Sequence, residues 1–300
     1  MDTSWVDRAA YPFADRYLDV DGGAMHYVDE GQGAPILFVH GTPAWSFLYR
    51  HLIADLSRDQ RCIAPDHIGF GLSAKPPEWS YSIDAHAKNL AALVEKLGLR
   101  EITLVVHDLG GPIGLSFAEA RPDLIRRLVI FNTTLWPLLG EFAAPPIARL
   151  FGGPIGRYLY LRQNVSPRAL LPLIYADRSR LTPAIHRQYT APFPRPADRH
   201  GMFAFARLMA GGARELGALW ERRAVLADKP ALLIWGMKDV AFPPKYLARW
   251  RELLPQAQVL EVAEAGHFVQ EEAPAAAIAA IRGFIGAPAA EPALAQSVRP

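Results

Sequence analysis

The sequence predicts an α/β fold, a mostly parallel central sheet flanked by helices with a helical insert in its second half. Three observations point there. Short, wholly apolar runs recur through the first half and again near the end, with amphipathic stretches between them. Strands buried on both faces read as continuous apolar runs, the pattern of a parallel sheet covered by helices. Between positions 133 and 223 no strand-like run occurs, and beyond it the strand pattern resumes.

The elements follow in order. Arg16–Val20 and Ala24–Val28 flank Asp21-Gly22-Gly23, a hairpin signal because glycine supplies the positive φ of a tight turn. The first edge of the sheet is therefore expected to be antiparallel. Pro35–Val39, Cys62–Pro65, Ile102–Val106 and Leu128–Phe131 are the short apolar runs of the first half. Ile83–Leu97 carries apolar residues at helical spacing. After the insert come Ala231–Trp235 and Val259–Val262 as strands, then Ala273–Ile285 as a closing helix. The division expected is a core of 1–132 and 224–286, a helical cap of 133–223, and a disordered tail of 287–300 rich in Ala and Pro. A helical insert between two strands covers the sheet edge where ligands bind in open α/β folds.

Bulk properties narrow the function. The 300 residues are 51% hydrophobic with a formal net charge of +2. That balance, without a long Lys/Arg cluster, argues against a nucleic-acid partner. The single cysteine, Cys62, excludes an internal disulfide and reads as a small buried residue in an apolar run. The first residues, MDTSWVDRAAYPF, lack the apolar stretch of a signal peptide, and no run is long enough to span a bilayer. The expectation is a cytoplasmic protein without a membrane partner; the sequons at Asn132 and Asn164 carry no weight in that setting. Gly69 and Gly71 in DHIGFGLS lack the third glycine of a dinucleotide fingerprint and read as a turn.

The stretch VVHDLGGPIG, positions 105–114, places Asp108 between a strand and a helix. In α/β hydrolases the nucleophile sits on such a strand–turn–helix elbow, with small residues beside it because backbones crowd there. Gly110 and Gly111 supply the small residues, and Pro112 suits a first helical turn, where its missing N–H costs nothing. Asp239 follows the run ALLIW, and His267 lies in the loop before the last helix. The order nucleophile, acid, histidine is the one that fold uses. His40-Gly41-Thr42-Pro43 offers the backbone N–H of Thr42 which, with that of Leu109, would form an oxyanion hole.

HGTPAWSFLYR, PDHIGFGLS, VVHDLGGPIG, LLIWGMKDVAF and GHFVQEEAP together resemble the haloalkane dehalogenase family, from about Tyr11 to Ile285. The nearest resemblance is to the subfamily whose catalytic acid follows the later strand. It implies an α/β-hydrolase fold with a helical cap, no cofactor or metal, and a small hydrophobic substrate with water as co-substrate. It also implies that Asp108 displaces a leaving group from an sp³ carbon, and that His267, oriented by Asp239, activates the water that cleaves the resulting ester. A carboxylate needs no deprotonation at neutral pH, which frees the histidine for that second step.

Two positions depart from the family. Its halide donors are an indole right after the nucleophile and an asparagine right after His-Gly; Leu109 and Thr42 stand there. Leucine donates nothing and threonine has one short hydroxyl. Trp45 and Trp136 are the candidates for a pocket indole that replaces them. Epoxide hydrolases share the aspartate nucleophile and the His-Gly-x-Pro loop and use cap tyrosines, for which Tyr158, Tyr160, Tyr175 and Tyr189 are candidates. Enzymes that process β-lactones with similar loops are a further alternative. A ligand receptor on the same fold is the non-enzymatic one, and retention of Asp108, Asp239 and His267 argues against it.

Overall fold

The computed structural model describes residues 3–137 and 151–286. The expected tail, 287–300, and positions 138–150 of the insert lie outside the described residues. The strands are β1 (Arg16–Val20), β2 (Gly23–Glu30), β3 (Pro35–Val39), β4 (Arg61–Pro65), β5 (Ile102–Val106), β6 (Ile125–Phe131), β7 (Ala231–Gly236) and β8 (Gln258–Val262). They form one 8-stranded sheet in the order β1-β2-β4-β3-β5-β6-β7-β8. Pairing is antiparallel for β1–β2 and β2–β4 and parallel from β4 onward. The hairpin places Val20 opposite Gly23, with Gly22 and Gly23 at φ 95° and 114°. Side chains other than glycine rarely adopt those angles.

The apolar runs become strands because both of their faces are covered. In β3, Leu37 and Val39 pack into one apolar cluster and Ile36 and Phe38 into another, all fully buried. Strand β6 divides in the same way, Leu128 and Ile130 against Val129 and Phe131. Each such side chain contributes about 1.5–3 kcal/mol when removed from water. Edge strand β1 is different: Arg16, Tyr17 and Asp19 stand exposed along it, and charges on an edge discourage pairing with another chain.

Among the helices, α1 (Arg50–Leu56), α2 (Ile83–Lys96) and α3 (Gly110–Ala120) alternate with the early strands. Helix α2 starts where the Ser82 side chain accepts the Ala85 N–H, with Asp84 in its first turn. Between β6 and β7 the described residues form only helices and turns. These include α4 (Pro154–Leu161), a π-helical turn at Ser166–Leu170, α5 (Leu171–Ile174), α6 (Pro183–Thr190), α7 (His200–Gly211) and α8 (Ala213–Arg222). The chain closes with α9 (Pro244–Leu253) between β7 and β8, then α10 (Val269–Glu272) and α11 (Pro274–Gly286). No described helix is long and apolar enough to cross a membrane.

Candidate active site

The turn between β5 and α3 carries Asp108 at φ 51°, one of the few non-glycine residues with positive φ. Asp and Asn tolerate this region better than other side chains. The turn can be this tight because its neighbours lack side chains. A Cβ on Gly111 would lie 1.9 Å from Thr133 Oγ1, and one on Gly41 would lie 2.1 Å from Asp108 Oδ2. Glycine at position 41 therefore lets the loop after β3 touch the carboxylate. There the Thr42 N–H donates to Asp108 Oδ2 at 2.6 Å, and the Leu109 N–H supports the same carboxyl.

That loop is fixed by His40. The His67 N–H donates to His40 Nε2 at 2.9 Å, so Nε2 is the acceptor. His40 Nδ1 then carries the proton and donates to Gly41 O at 2.7 Å. Burial holds this imidazole below its ordinary pKa, in line with the neutral tautomer.

His267 Nδ1 donates to Asp239 Oδ2 at 2.8 Å, and Nε2 faces Asp108 Oδ1 at 3.9 Å. The second distance is too long for a hydrogen bond, so the histidine and the elbow carboxyl remain unbonded. Burial pushes the Asp108 carboxyl up; the charge of His267 and the N–H groups of Thr42 and Leu109 offset this only in part. Burial alone would push His267 down, but the charge and hydrogen bond of Asp239, with the charge of Asp108, outweigh it and hold the imidazole above its ordinary value.

The loop of His267 is gripped along its backbone. Its N–H donates to Ile174 O at 2.9 Å, and its carbonyl accepts from His107 Nε2 at 2.9 Å. Glu272 joins the two sides of this contact. Its Oε1 accepts the Gly266 N–H at 3.0 Å, and its Oε2 accepts those of Ala176 and Asp177 at 2.9 and 2.8 Å. The helical insert is thus hydrogen-bonded to the loop that carries the histidine.

Asn132 ties the end of β7 to the elbow. Its Oδ1 accepts the Gly236 N–H at 2.8 Å at the end of β7, and its own carbonyl accepts the Asp108 N–H at 2.9 Å. Thr133 Oγ1 donates to Asp108 O. In the sequence Asn132 stands out only as a sequon. A polar Asn-Thr-Thr run directly after a wholly apolar strand was the available signal.

Above Asp108 lies a cavity of about 430 Å³. Among the described residues 17 line it, and of these only Thr42, Asp108, Tyr160 and Ser166 have polar side chains. Leu173 and Val240 line it while remaining 57% and 69% exposed, which marks its mouth. Leu109 lies on the wall and offers no side-chain donor, and Thr42 Oγ1 is enclosed without a partner.

Trp45 and Trp136, the candidate pocket indoles, are not on the cavity wall; that expectation is corrected. Trp45 stacks on Phe47 and its indole N–H donates to Gln188 O at 2.9 Å. Trp136 is buried among Trp220, Tyr246 and Trp250. Large aromatic surfaces are worth most in a packed core, and both residues are used there. The tyrosines also separate. Tyr158 is exposed, Tyr175 stacks on Phe268, and Tyr189 donates to Glu271, which pairs with Arg50. Tyr160 alone of the four lines the cavity.

Residues 34–274 match the α/β hydrolase fold family. The chain is 41% identical over 278 residues to haloalkane dehalogenase 2 of Mycobacterium bovis, covering 92% of this chain and 96% of that protein. It is 36% identical over 282 residues to the cis-3-alkyl-4-alkyloxetan-2-one decarboxylase of Shewanella oneidensis, covering 91% and 89%. The crystal structure of the haloalkane dehalogenase DatA from Agrobacterium tumefaciens C58 superposes with a TM-score of 0.82 at 26% identity, covering 95% of this chain and 99% of that one. These likenesses span nearly the whole chain, and the chain belongs to the α/β hydrolase fold family and, within it, to the haloalkane dehalogenase family.

Proposed function

We propose that the protein is a haloalkane dehalogenase that works through a covalent ester on Asp108, with residues 133–223 as the cap over its pocket. The observation that carries this reading is the elbow carboxylate held at Thr42 N–H with a free edge toward His267. Oδ2 lies in the oxyanion hole, so Oδ1 is the oxygen left to attack. In the first step Oδ1 bonds to the substrate carbon, the carbon–halogen bond breaks, and its electron pair leaves with the halide. In the second, His267 Nε2 takes a proton from water as the water oxygen adds to the Asp108 carbonyl carbon. The charge on Oδ2 is met by the N–H groups of Thr42 and Leu109. Collapse breaks the bond from that carbon to Oδ1, His267 returns the proton, and the alcohol leaves with the oxygen that began on Asp108. Asp239 keeps the imidazole in the tautomer with Nε2 free.

Oxygen labelling tests this sequence. With protein in excess over a bromoalkane in ¹⁸O-water, the first turnover is expected to release bromide and an unlabelled alcohol, with the label in Asp108. Labelled alcohol from that first turnover would mean direct attack by water and would end the ester reading.

The two steps also titrate apart. Asp108 must be ionised to attack, and burial raises its pKa, so alkylation fails as the pH falls through a value above the ordinary one for aspartate. His267 must be neutral to accept a proton, and its pKa is raised above 6.5, so hydrolysis fades as the pH falls through that raised value. Ester formation cancels the Asp108 charge, one of the causes that hold His267 up, which promotes loss of its proton when a base is needed. On the acidic side of the raised His267 value the wild-type protein is expected to accumulate the alkyl adduct while Asp108 stays ionised, and on the alkaline side to show little of it. Intact-mass spectra after acid quench on both sides would check it; equal occupancy on the two sides would contradict it.

A second reading has one specific support. The relative from Shewanella oneidensis is named as an oxetanone decarboxylase, and a leaving group still tethered to its carbon skeleton makes less demand on halide donors. Release of carbon dioxide from a β-lactone, without halide release from haloalkanes, would favour it. The epoxide reading calls for a set of cap tyrosines in the pocket, where Tyr160 stands alone of the four.

A further inference from the structure

Leu109 and Thr42 leave open what stabilises a departing anion in so apolar a cavity. An unpaired anion there is costly, and each hydrogen bond to it is a strong one. The cavity wall supplies two hydroxyls from the helical insert, Tyr160 at the end of α4 and Ser166 at the start of the π-helical turn. Both residues are buried, 8% and 5% exposed. Neither hydroxyl has a hydrogen-bond partner among the described residues, and neither is sealed into the core as Thr42 Oγ1 is. Of the other aromatic candidates, Trp45 and Tyr189 have their polar ends occupied by Gln188 O and Glu271, and the polar atoms of Trp136 and Tyr175 are enclosed off the cavity wall. Burial raises the Tyr160 phenol to about 12, and the negative charge of Asp108 adds to the rise. The hydroxyl is therefore protonated at neutral pH, a donor that feels the carboxylate across the cavity.

Resting on the dehalogenase reading, we propose that Tyr160 and Ser166 form the leaving-group site, receiving the halide by hydrogen bonds from the cap in place of donors at positions 42 and 109. The halide departs with the electron pair of the carbon–halogen bond as Oδ1 of Asp108 bonds to carbon. No proton moves, because halide ions are too weakly basic to take one from a phenol. The two hydroxyls act only by charge-assisted hydrogen bonds that strengthen as the bond breaks. This places selection of the leaving group in the cap and hydrolysis of the ester in the core.

The test uses full-length protein carrying His267→Phe, in which the first step is isolated, and follows adduct formation by intact mass. The probes are 1-chlorohexane, 1-bromohexane and 1-iodohexane. Tyr160→Phe keeps the ring and removes the donor; Ser166→Ala removes the second. Each is expected to slow alkylation about tenfold to a hundredfold with the chloride, and progressively less with bromide and iodide, whose bonds break with less help. In the otherwise wild-type enzyme the same substitutions are expected to weaken inhibition by added chloride, with hydrolysis of the preformed ester unchanged. Unchanged alkylation rates in both variants would overturn the assignment. So would an equal slowing with all three halides, since that marks a packing defect rather than a lost donor. Absence of any adduct with both hydroxyls intact would instead overturn the dehalogenase reading on which the assignment rests.

Discussion

Replacing His267 with Phe is expected to leave alkylation of Asp108 intact and to stop turnover, so that the protein gains the mass of one alkyl group and keeps it. In the proposed mechanism the histidine acts only in the second step, because the attacking carboxylate is ionised without help at neutral pH. Loss of a general base typically costs about 10²–10⁴-fold, enough to make the ester the dominant species within minutes. Phenylalanine fits the site. The imidazole stacks with Phe242 at 5.7 Å between ring centres and packs edge-on against Phe268, contacts that a benzene ring can keep. The backbone ties to Ile174 and His107 do not depend on the side chain. What is lost is the hydrogen bond to Asp239, whose Oδ2 is left without it in a buried place. Breaking a buried pair costs about 3–5 kcal/mol, so a lowered Tm is expected along with the trapped ester. His267→Gln, which keeps a donor on the side chain, gives a second route to the same trap. Mass spectrometry of the protein after exposure to a bromoalkane, with peptide mapping to Asp108, is the measurement. A folded variant that gains no mass would remove Asp108 as a nucleophile toward haloalkanes.

Much of this site could be read from the chain because it depends on residues at strand ends. The runs Pro35–Val39 and Ile102–Val106 match β3 and β5 end to end, and Asp108, Asp239 and His267 each follow a strand by a few positions. In a parallel sheet, those ends lie side by side. Strand β6 starts earlier than the apolar run, at Ile125, because two arginines interrupt that run, Arg126 pointing outward and Arg127 buried with its guanidinium donating to Ile285 O. Pattern reading weighs composition, whereas the ladder continues wherever backbone partners exist.

The supports of the site were not legible. His107 reaches the His267 carbonyl across 160 positions, and Asn132 reaches Gly236 across 104. Such contacts exist only once the sheet is assembled, and nothing in local spacing announces them. The insert shows the same limit: its apolar and aromatic residues look alike in the sequence, yet Tyr160 lines the cavity while Tyr189 is committed to Glu271. Trp45 and Trp136 were candidates because they lie near the oxyanion loop and the cap entrance in the chain. Proximity in sequence does not orient an indole, and packing turned both inward.

Asp108→Asn is expected to move activity and stability in opposite directions. Asparagine is nearly the same size, tolerates the φ of 51° found at this turn, and keeps a side-chain oxygen to accept the Thr42 N–H. The elbow should therefore hold its shape, as it would not with alanine, where a left-handed backbone costs about 1–2 kcal/mol. The amide is no nucleophile toward an sp³ carbon, so halide release should fall by at least about 10⁴-fold, the scale on which loss of a nucleophile is felt. The stability effect follows from the sign of the pKa shift. Burial raises the Asp108 carboxyl above its ordinary value, so the folded protein disfavours the ionised form relative to the unfolded chain. At neutral pH, folding therefore bears a cost for that charge, and the cost shrinks as the pH falls toward the raised value and the group protonates. A neutral amide removes the cost at every pH. Thermal unfolding at pH 7 should show a higher Tm for the variant than for the wild type, with the gap closing on acidification. A lower Tm at pH 7 would mean that attraction to His267 outweighs burial and that the carboxylate stabilises the fold. A higher one would identify the elbow charge as a feature kept for chemistry at the expense of stability.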